Sequence, residues 1–110
     1  MLLIYEDDAD RVAHMDERMP TCFAYAEAMK KAGIYVAGEP LRAVESTTTV
    51  RVTDGVTRVF DGPYAEAKEQ LGGFHIIDVP DLDTALAWAA RCPSASRGAV
   101  EVRPIWPVGP

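Results

Sequence analysis

Residues 61–74 constrain the fold more than any other stretch of the chain. Their sequence, DGPYAEAKEQLGGF, places a turn, four charged residues and a glycine pair between two segments with the composition of strands. Asp61 precedes Gly-Pro, so its carboxylate can accept a backbone N–H in a turn, and Gly62 can adopt a positive φ. We expect a turn at 61–63, a short helix over 64–70 and a strand that begins at Phe74.

Hydrophobic periodicity and the positions of Gly and Pro predict the remaining elements. Strands are expected at residues 2–6, 34–37, 47–53, 57–60, 74–79 and 100–106. Helices are expected at 20–32 and 82–91, with a kink or a new start at Pro20, because proline lacks the N–H donor of a helix interior. Asp54-Gly55 predicts a hairpin between two of the strands.

The order of these elements predicts one α+β domain over residues 1–110. A β-α-β unit, a hairpin and a second β-α-β unit suit a ferredoxin-like split βαβ fold with a mainly antiparallel sheet, an inserted β-hairpin and two helices on one face. The first strand is apolar on both faces, with Leu2 and Ile4 on one and Leu3 and Tyr5 on the other. Because two helices cover only one face, we expect a second copy to cover the other in a two-fold homodimer.

Composition and charge exclude several classes of function. The net charge of -6 argues against nucleic-acid binding, since phosphate backbones attract clustered Lys and Arg. No apolar run approaches the roughly 18–20 residues of a membrane span, and the apolar start lacks the basic flank of a signal peptide, so a cytoplasmic protein is expected. Cys22 and Cys92 form no CxxC, and two scattered histidines supply no ligand set. We therefore expect neither a disulfide, a metal site nor a cofactor.

Two kinds of residue could carry chemistry. His75 follows Gly-Gly in a strand, where it is either a packed side chain with one hydrogen bond or a general base that faces a cavity near Asp61 or Glu66. The charges of 61–69 are either a solvated surface or the rim of that cavity, and exposed charge pairs usually contribute little. Tyr5 and Trp106 could also line a small apolar pocket at the sheet face.

The stretch 61–74 closely resembles the signature of the DGPF branch of the YCII-related proteins. Residues 81–93 and 98–105 are similar to that family's second helix and last strand, and residues 2–5 and 48–52 also fit, so the resemblance covers nearly the whole chain. It implies a ferredoxin-like domain of the dimeric α/β-barrel type. The family has no settled activity, and its genes often neighbour those of extracytoplasmic-function sigma factors.

The chain departs from this pattern at a few positions. Tyr64 stands where the signature has Phe, and Ala67 stands where it has Thr. YCII relatives outside the DGPF branch carry a histidine in the first helix that is proposed to act with an aspartate. The comparable place here is near Thr21 and Cys22 and holds no histidine, which weakens the transfer of that catalytic pair.

Three hypotheses follow. In the first, the faces of two sheets enclose a small-molecule pocket rimmed by residues 61–69, and the protein is an accessory or sensing module linked to sigma-factor regulation. The candidate ligand-binding residues are Asp61, Tyr64, Glu66, Lys68, Glu69 and Tyr5. In the second, the chain is a cofactor-free monooxygenase- or lyase-like enzyme that transfers protons through His75, Asp61 or Glu66. In the third, it is a protein-interaction module without a ligand.

Overall fold

Two antiparallel sheets carry the fold in the computed structural model, which describes residues 1–109. The strands are β1 (Leu2–Asp7), β2 (Tyr35–Pro40), β3 (Thr48–Thr53), β4 (Val56–Asp61), β5 (Glu69–Ile77) and β6 (Ala99–Val102). The main sheet has the order β2-β5-β1-β6, and β3 pairs with β4 in a separate hairpin. This order is that of a ferredoxin-like sheet with a hairpin inserted between its second and third strands, so the predicted antiparallel α+β architecture is confirmed.

The helices are α1 (Asp8–Ala13), α2 (Met15–Lys31) and α3 (Leu82–Arg91). The first helical region breaks at His14, with φ -112° and ψ 15°, and not at Pro20, which lies inside α2. The predicted new start at Pro20 is therefore wrong, and the alternative of a kink there stays a prediction. Proline removes one N–H donor, whereas helices in proteins are stabilised mainly by packing, and α2 packs Tyr25 and Met29 into the core. No helix within residues 1–109 combines the length and apolar character needed to cross a membrane.

The core lies between the helices and one face of the main sheet. Residues on that face of β1 are buried, in alternation with half-buried neighbours, as expected for a strand with a period of two. The buried cluster consists of Ile4, Tyr25, Met29 and Cys92, against which Ile34, Tyr35, Ile77, Trp88 and Val100 pack. The Tyr25 hydroxyl donates to the Trp88 carbonyl at 2.6 Å, so α2 and α3 are joined above the sheet.

Residues 62–68 form an irregular loop, and the predicted short helix over 64–70 is wrong. β5 begins at Glu69, five residues earlier than expected, because it continues to pair with β1 as far as Asp7 opposite Glu69. Gln70 Nε2 donates to the carbonyls of Ala65 and Ala67 at 3.0 and 2.8 Å and so closes the loop. At the other end, Gly62 has the expected positive φ, 104°.

Two surfaces of the protein carry apolar residues without a helix against them. One is the second face of the main sheet, which holds the half-buried side chains of Leu3, Tyr5 and Phe74. The other is the hairpin. Val50 lies opposite Val59 there, and Val52 shares their face, with each side chain more than half exposed. We call these the open sheet face and the valine face of the hairpin.

Candidate functional site

A cleft of about 240 Å³ lies between α2 and the helix-bearing face of the main sheet. The helix lines it with residues that recur every three or four positions and therefore share one face. They include Met15, Met19, Cys22, Phe23 and Ala26. The sheet side includes Ile4 together with Gly72 and Gly73, so the glycine pair of β5 leaves backbone exposed to this space. The cleft is mostly apolar, with polar side chains at its two ends.

Glu6 is a buried carboxylate at one end of the cleft. It follows Leu2 and Ile4 at two-residue steps on β1, which directs it to the helix side, and it is 5% exposed. Ser94 Oγ donates to its Oε2 at 3.1 Å, and Arg97 Nε donates to its Oε1 at 3.2 Å. A buried carboxylate requires such partners. These bonds also tie the turn at Pro93–Ser96 to β1.

Arg11 and Asp8 form a buried ion pair beside Glu6. Arg11 Nη2 lies 2.9 Å from Asp8 Oδ1, and the exposed fractions of the two side chains are both 8%. Arg11 Nη1 donates to the carbonyl of Leu41, and Asp8 Oδ2 accepts from the N–H of Val44, each at 2.9 Å. The pair thus holds the connection that follows β2 against α1. Arg11 Nε is buried without a hydrogen-bond partner, and the side chain lies so close to Gly72 that a Cβ there would collide with it.

Arg18 and Arg97 reach the same end of the cleft from α2 and from the loop after α3. Arg18 Nη1 donates to Asp10 Oδ2 at 3.0 Å. This hydrogen bond holds the pKa of the Asp10 carboxyl below its usual value, and the charge of Arg97 acts in the same direction. Burial raises the pKa of the Cys22 thiol, which both arginines partly oppose. Both arginines and Cys22 line the cleft, and Arg97 is bonded to Glu6. We call this the arginine end of the cleft.

His75 lies towards the other end. It stands opposite Leu2 in the sheet, four residues along β1 from Glu6 and thus roughly 13 Å away along the strand. Its ring packs edge-on against Tyr25 and Tyr35, with centroid distances of 5.6 and 6.4 Å. Nδ1 is buried without a partner and lies so close to Gly38 that no Cβ would fit there. Burial lowers the pKa of His75, so the ring is neutral at pH 7.

The other predicted site residues lie outside this cleft. Tyr5, Lys68 and Glu69 border a shallow depression with Ala99 and Glu101. The remaining candidates, Asp61, Tyr64 and Glu66, are exposed and line neither space. The structure thus groups three of the six ligand-binding candidates and separates all six from His75. Within residues 1–109, no group of three or more His, Cys, Asp or Glu side chains could hold a metal ion.

The arginine end contains charged residues that are not among the predicted candidates. They are Glu6, Arg11, Arg18 and Arg97. Glu6 has a signal in the sequence, because it continues the inward-facing positions of Leu2 and Ile4 and so places a carboxylate on a core face. The arginines have none. Residues 11, 18 and 97 come together only when α1, α2 and the loop after α3 meet over β1.

Comparison with known proteins identifies the family. A model of the YCII-related domain matches residues 1–109. An uncharacterized protein of Rhizobium meliloti (strain 1021) is 47% identical over 72 residues, a match that covers 62% of this chain and 58% of the relative. The alignment thus spans less than two thirds of that protein's length. The family match covers nearly the whole chain and confirms the resemblance to the YCII-related family, whereas the assignment to its DGPF branch stays a prediction. The chain belongs to the YCII-related family.

Proposed function

We propose that this YCII-related protein binds a small molecule in the cleft between α2 and the sheet, as a cytoplasmic accessory or sensing protein. The observation that carries the proposal is a concave, largely apolar space with charged side chains fixed at the arginine end. Arg97 and Arg18 are held there by hydrogen bonds to Glu6 and Asp10. Ligand sites combine apolar walls with a few fixed polar groups in this way.

The proposal places the ligand on the helix side of the sheet. The sequence favours a pocket between two sheets, rimmed by residues 61–69. The depression beside Tyr5, Lys68 and Glu69 is the part of that rim where candidate residues meet, but it is shallow and open. The helix-side cleft has deeper walls and a set of fixed charges. Rigid side chains hold a ligand with a smaller loss of entropy than mobile loop residues do.

A thermal-shift screen against metabolites tests the site with a matched pair of variants. Ala26→Trp fills the cleft, whereas Ala67→Trp places the same bulk in the shallow depression. A ligand at one hundred times its Kd is expected to stabilise the wild type by about 2.7 kcal/mol and to raise its Tm. The shift should persist in Ala67→Trp and disappear in Ala26→Trp. The reverse result would place the ligand at the rim formed by residues 61–69.

A two-fold homodimer is the second part of the proposal. An isolated two-stranded hairpin is marginally stable in water, yet β3 and β4 expose Val50, Val52 and Val59 on one face. The open sheet face also carries apolar side chains that no helix covers. A second copy would bury both surfaces at once. Stable interfaces bury about 800 Å² per partner, so the proposed dimer requires both surfaces to take part.

Val52→Lys is expected to shift the protein from dimer to monomer, because it would bury a charge without a partner in the interface. Light scattering coupled to size exclusion should give twice the chain mass of 12.0 kDa for the wild type and one chain mass for the variant. Leu82→Lys, at an exposed leucine of α3, is the control and should remain a dimer. A monomeric wild type at micromolar concentration would refute this part of the proposal.

A proton-transfer enzyme is the second candidate function, and the neutral imidazole of His75 favours it. A histidine whose pKa is lowered by burial can accept a proton from a substrate in the cleft. Asp61 and Glu66 do not line the cleft, so His75 alone of the predicted groups could serve there. The screen separates binding from catalysis when mass spectrometry also follows the amount of each hit compound over time, because an enzyme would consume its substrate. An interaction module linked to sigma-factor regulation stays a prediction from the family resemblance, which a screen without hits would favour.

A further inference from the structure

We infer that the ligand of the cleft is a short apolar carboxylate whose head group binds at the arginine end, an inference that rests on the proposed function. The head would lie against the guanidinium groups of Arg97 and Arg18. The body would extend along the apolar wall formed by Met19, Phe23 and Ile4. Hydrogen-bond donors, solvent exposure, charge and size each support this assignment.

The arginine end has hydrogen-bond donors that no protein group uses. In the described part of the chain, Arg97 donates from its side chain only through Nε, to Glu6, and Arg18 only through Nη1, to Asp10. A guanidinium carries several further N–H donors and no acceptor. The two terminal nitrogens of Arg97 therefore remain available as a fork. A planar carboxylate matches such a fork with two parallel hydrogen bonds.

The carboxylate of Glu6 is the acceptor group at this end. The two oxygens of Glu6 each receive a hydrogen bond, one from Ser94 and one from Arg97, and its side chain is 7% exposed. Glu6 is therefore poorly placed to bind an ammonium group of a ligand. The guanidinium groups have unused donors at this end, whereas Glu6 is buried and already bonded to Arg97, so a ligand group that supplies acceptor atoms fits best. A carboxylate supplies two, and a hydroxyl supplies one weaker contact.

The arginine end is largely shielded from water. The side chains of Arg97 and Arg18 are 26% and 23% exposed, so each is largely removed from solvent. Charge-assisted hydrogen bonds are stronger in such surroundings than at an open surface. The cation at the opposite end, Lys30, is half exposed and already lies near Glu27, at 3.4 Å. The head group is therefore expected at the arginine end and not beside Lys30.

The volume of the cleft limits the size of the ligand. The cleft, at about 240 Å³, is smaller than the roughly 300–1,000 Å³ of sites for drug-sized ligands. At about 30 Å³ for each water-sized unit, it holds on the order of ten non-hydrogen atoms. Methionine side chains adapt to ligands of varied shape, so Met15 and Met19 would accommodate an alkyl or a small ring. Octanoate is a suitable probe of this length.

The test compares three ligands that share one alkyl chain, namely octanoate, 1-octanol and octylamine, by isothermal titration calorimetry with the full chain. Octanoate is expected to bind about tenfold or more tightly than 1-octanol, with octylamine the weakest. Arg97→Gln should weaken octanoate about tenfold to a hundredfold. Lys31→Gln, at an exposed lysine of α2 that does not line the cleft, is the charge-matched control and should leave octanoate binding unchanged.

A second variant distinguishes a loss of binding from a folding defect. Arg97→Lys keeps a positive charge beside Glu6 but lacks the guanidinium fork, so it should fold and still lose most of the preference for octanoate over 1-octanol. Unchanged octanoate affinity in both Arg97 variants would overturn the inference. So would equal binding of the three ligands, or no binding of octanoate. Hits from the metabolite screen that vanish in Ala26→Trp would leave the proposed function standing in each of these cases.

Discussion

Asp8→Ala is expected to lower the free energy of unfolding by about 3–5 kcal/mol, the cost of breaking a buried ion pair by removing one partner. Asp8 bonds Arg11 and the backbone N–H of Val44, so the substitution leaves a buried guanidinium without its counter-charge and a backbone donor without its acceptor. Urea unfolding followed by circular dichroism measures the change. The midpoint should fall while the slope with urea concentration stays constant.

Asp10→Ala is the matched control on the same helix. Asp10 also pairs with an arginine, Arg18, but its side chain is 48% exposed, and exposed pairs contribute little. Asp8→Ala should therefore be far more destabilising than Asp10→Ala. Equal effects would show that Asp8 and Arg11 do not act as a buried pair. The double variant Asp8→Leu/Arg11→Met should recover part of the loss, because two apolar side chains leave no unpaired charge.

Met29→Ala is expected to destabilise the protein by about 2–5 kcal/mol, through lost burial and the cavity that remains. Met29 is fully buried on α2, in the cluster that also contains Tyr25 and Cys92. The same urea titration measures the loss. Because Met29 does not line the cleft, Met29→Ala protein that is still folded should bind cleft ligands with unchanged affinity.

Leu82→Ala serves as the control for Met29→Ala. Leu82 begins α3 with 57% of its surface exposed, so truncation removes little buried area and leaves no cavity. Its effect should be small beside that of Met29→Ala. A loss at Met29 no larger than that at Leu82 would contradict the assignment of Met29 to the centre of the core.

Local sequence patterns predict most of the elements. The apolar run Leu2–Tyr5 marks β1, and the Asp54-Gly55 pair marks the hairpin, where both residues have positive φ in the structure. Asp81 caps α3 as a good N-cap should, with its carboxylate accepting from the N–H of Thr84 at 2.8 Å. These features depend on residues close in sequence, so local rules suffice for them.

The stretch 61–74 shows where local rules fail. Residues 64–70 have helical composition, but Glu69 and Gln70 pair with the end of β1, and this long-range pairing replaces the helix by an extended strand. The prediction at Pro20 fails in the opposite way. Local chemistry predicts a break there, whereas packing of the residues that follow keeps α2 continuous. In both places tertiary contacts outweigh a local preference.

The sequence by itself determined the order of the six strands and the two longer helices, the antiparallel α+β class and, through residues 61–74, the family. Only the tertiary structure decided where the cleft lies and which charges surround it. It placed His75 and Glu6 on the helix side of the sheet and left Asp61, Tyr64 and Glu66 exposed. The physical reason is that residues close in sequence decide which side chains of a strand or helix share a face. A site such as the arginine end instead forms from residues 11, 18 and 97, which the chain brings together only when it folds.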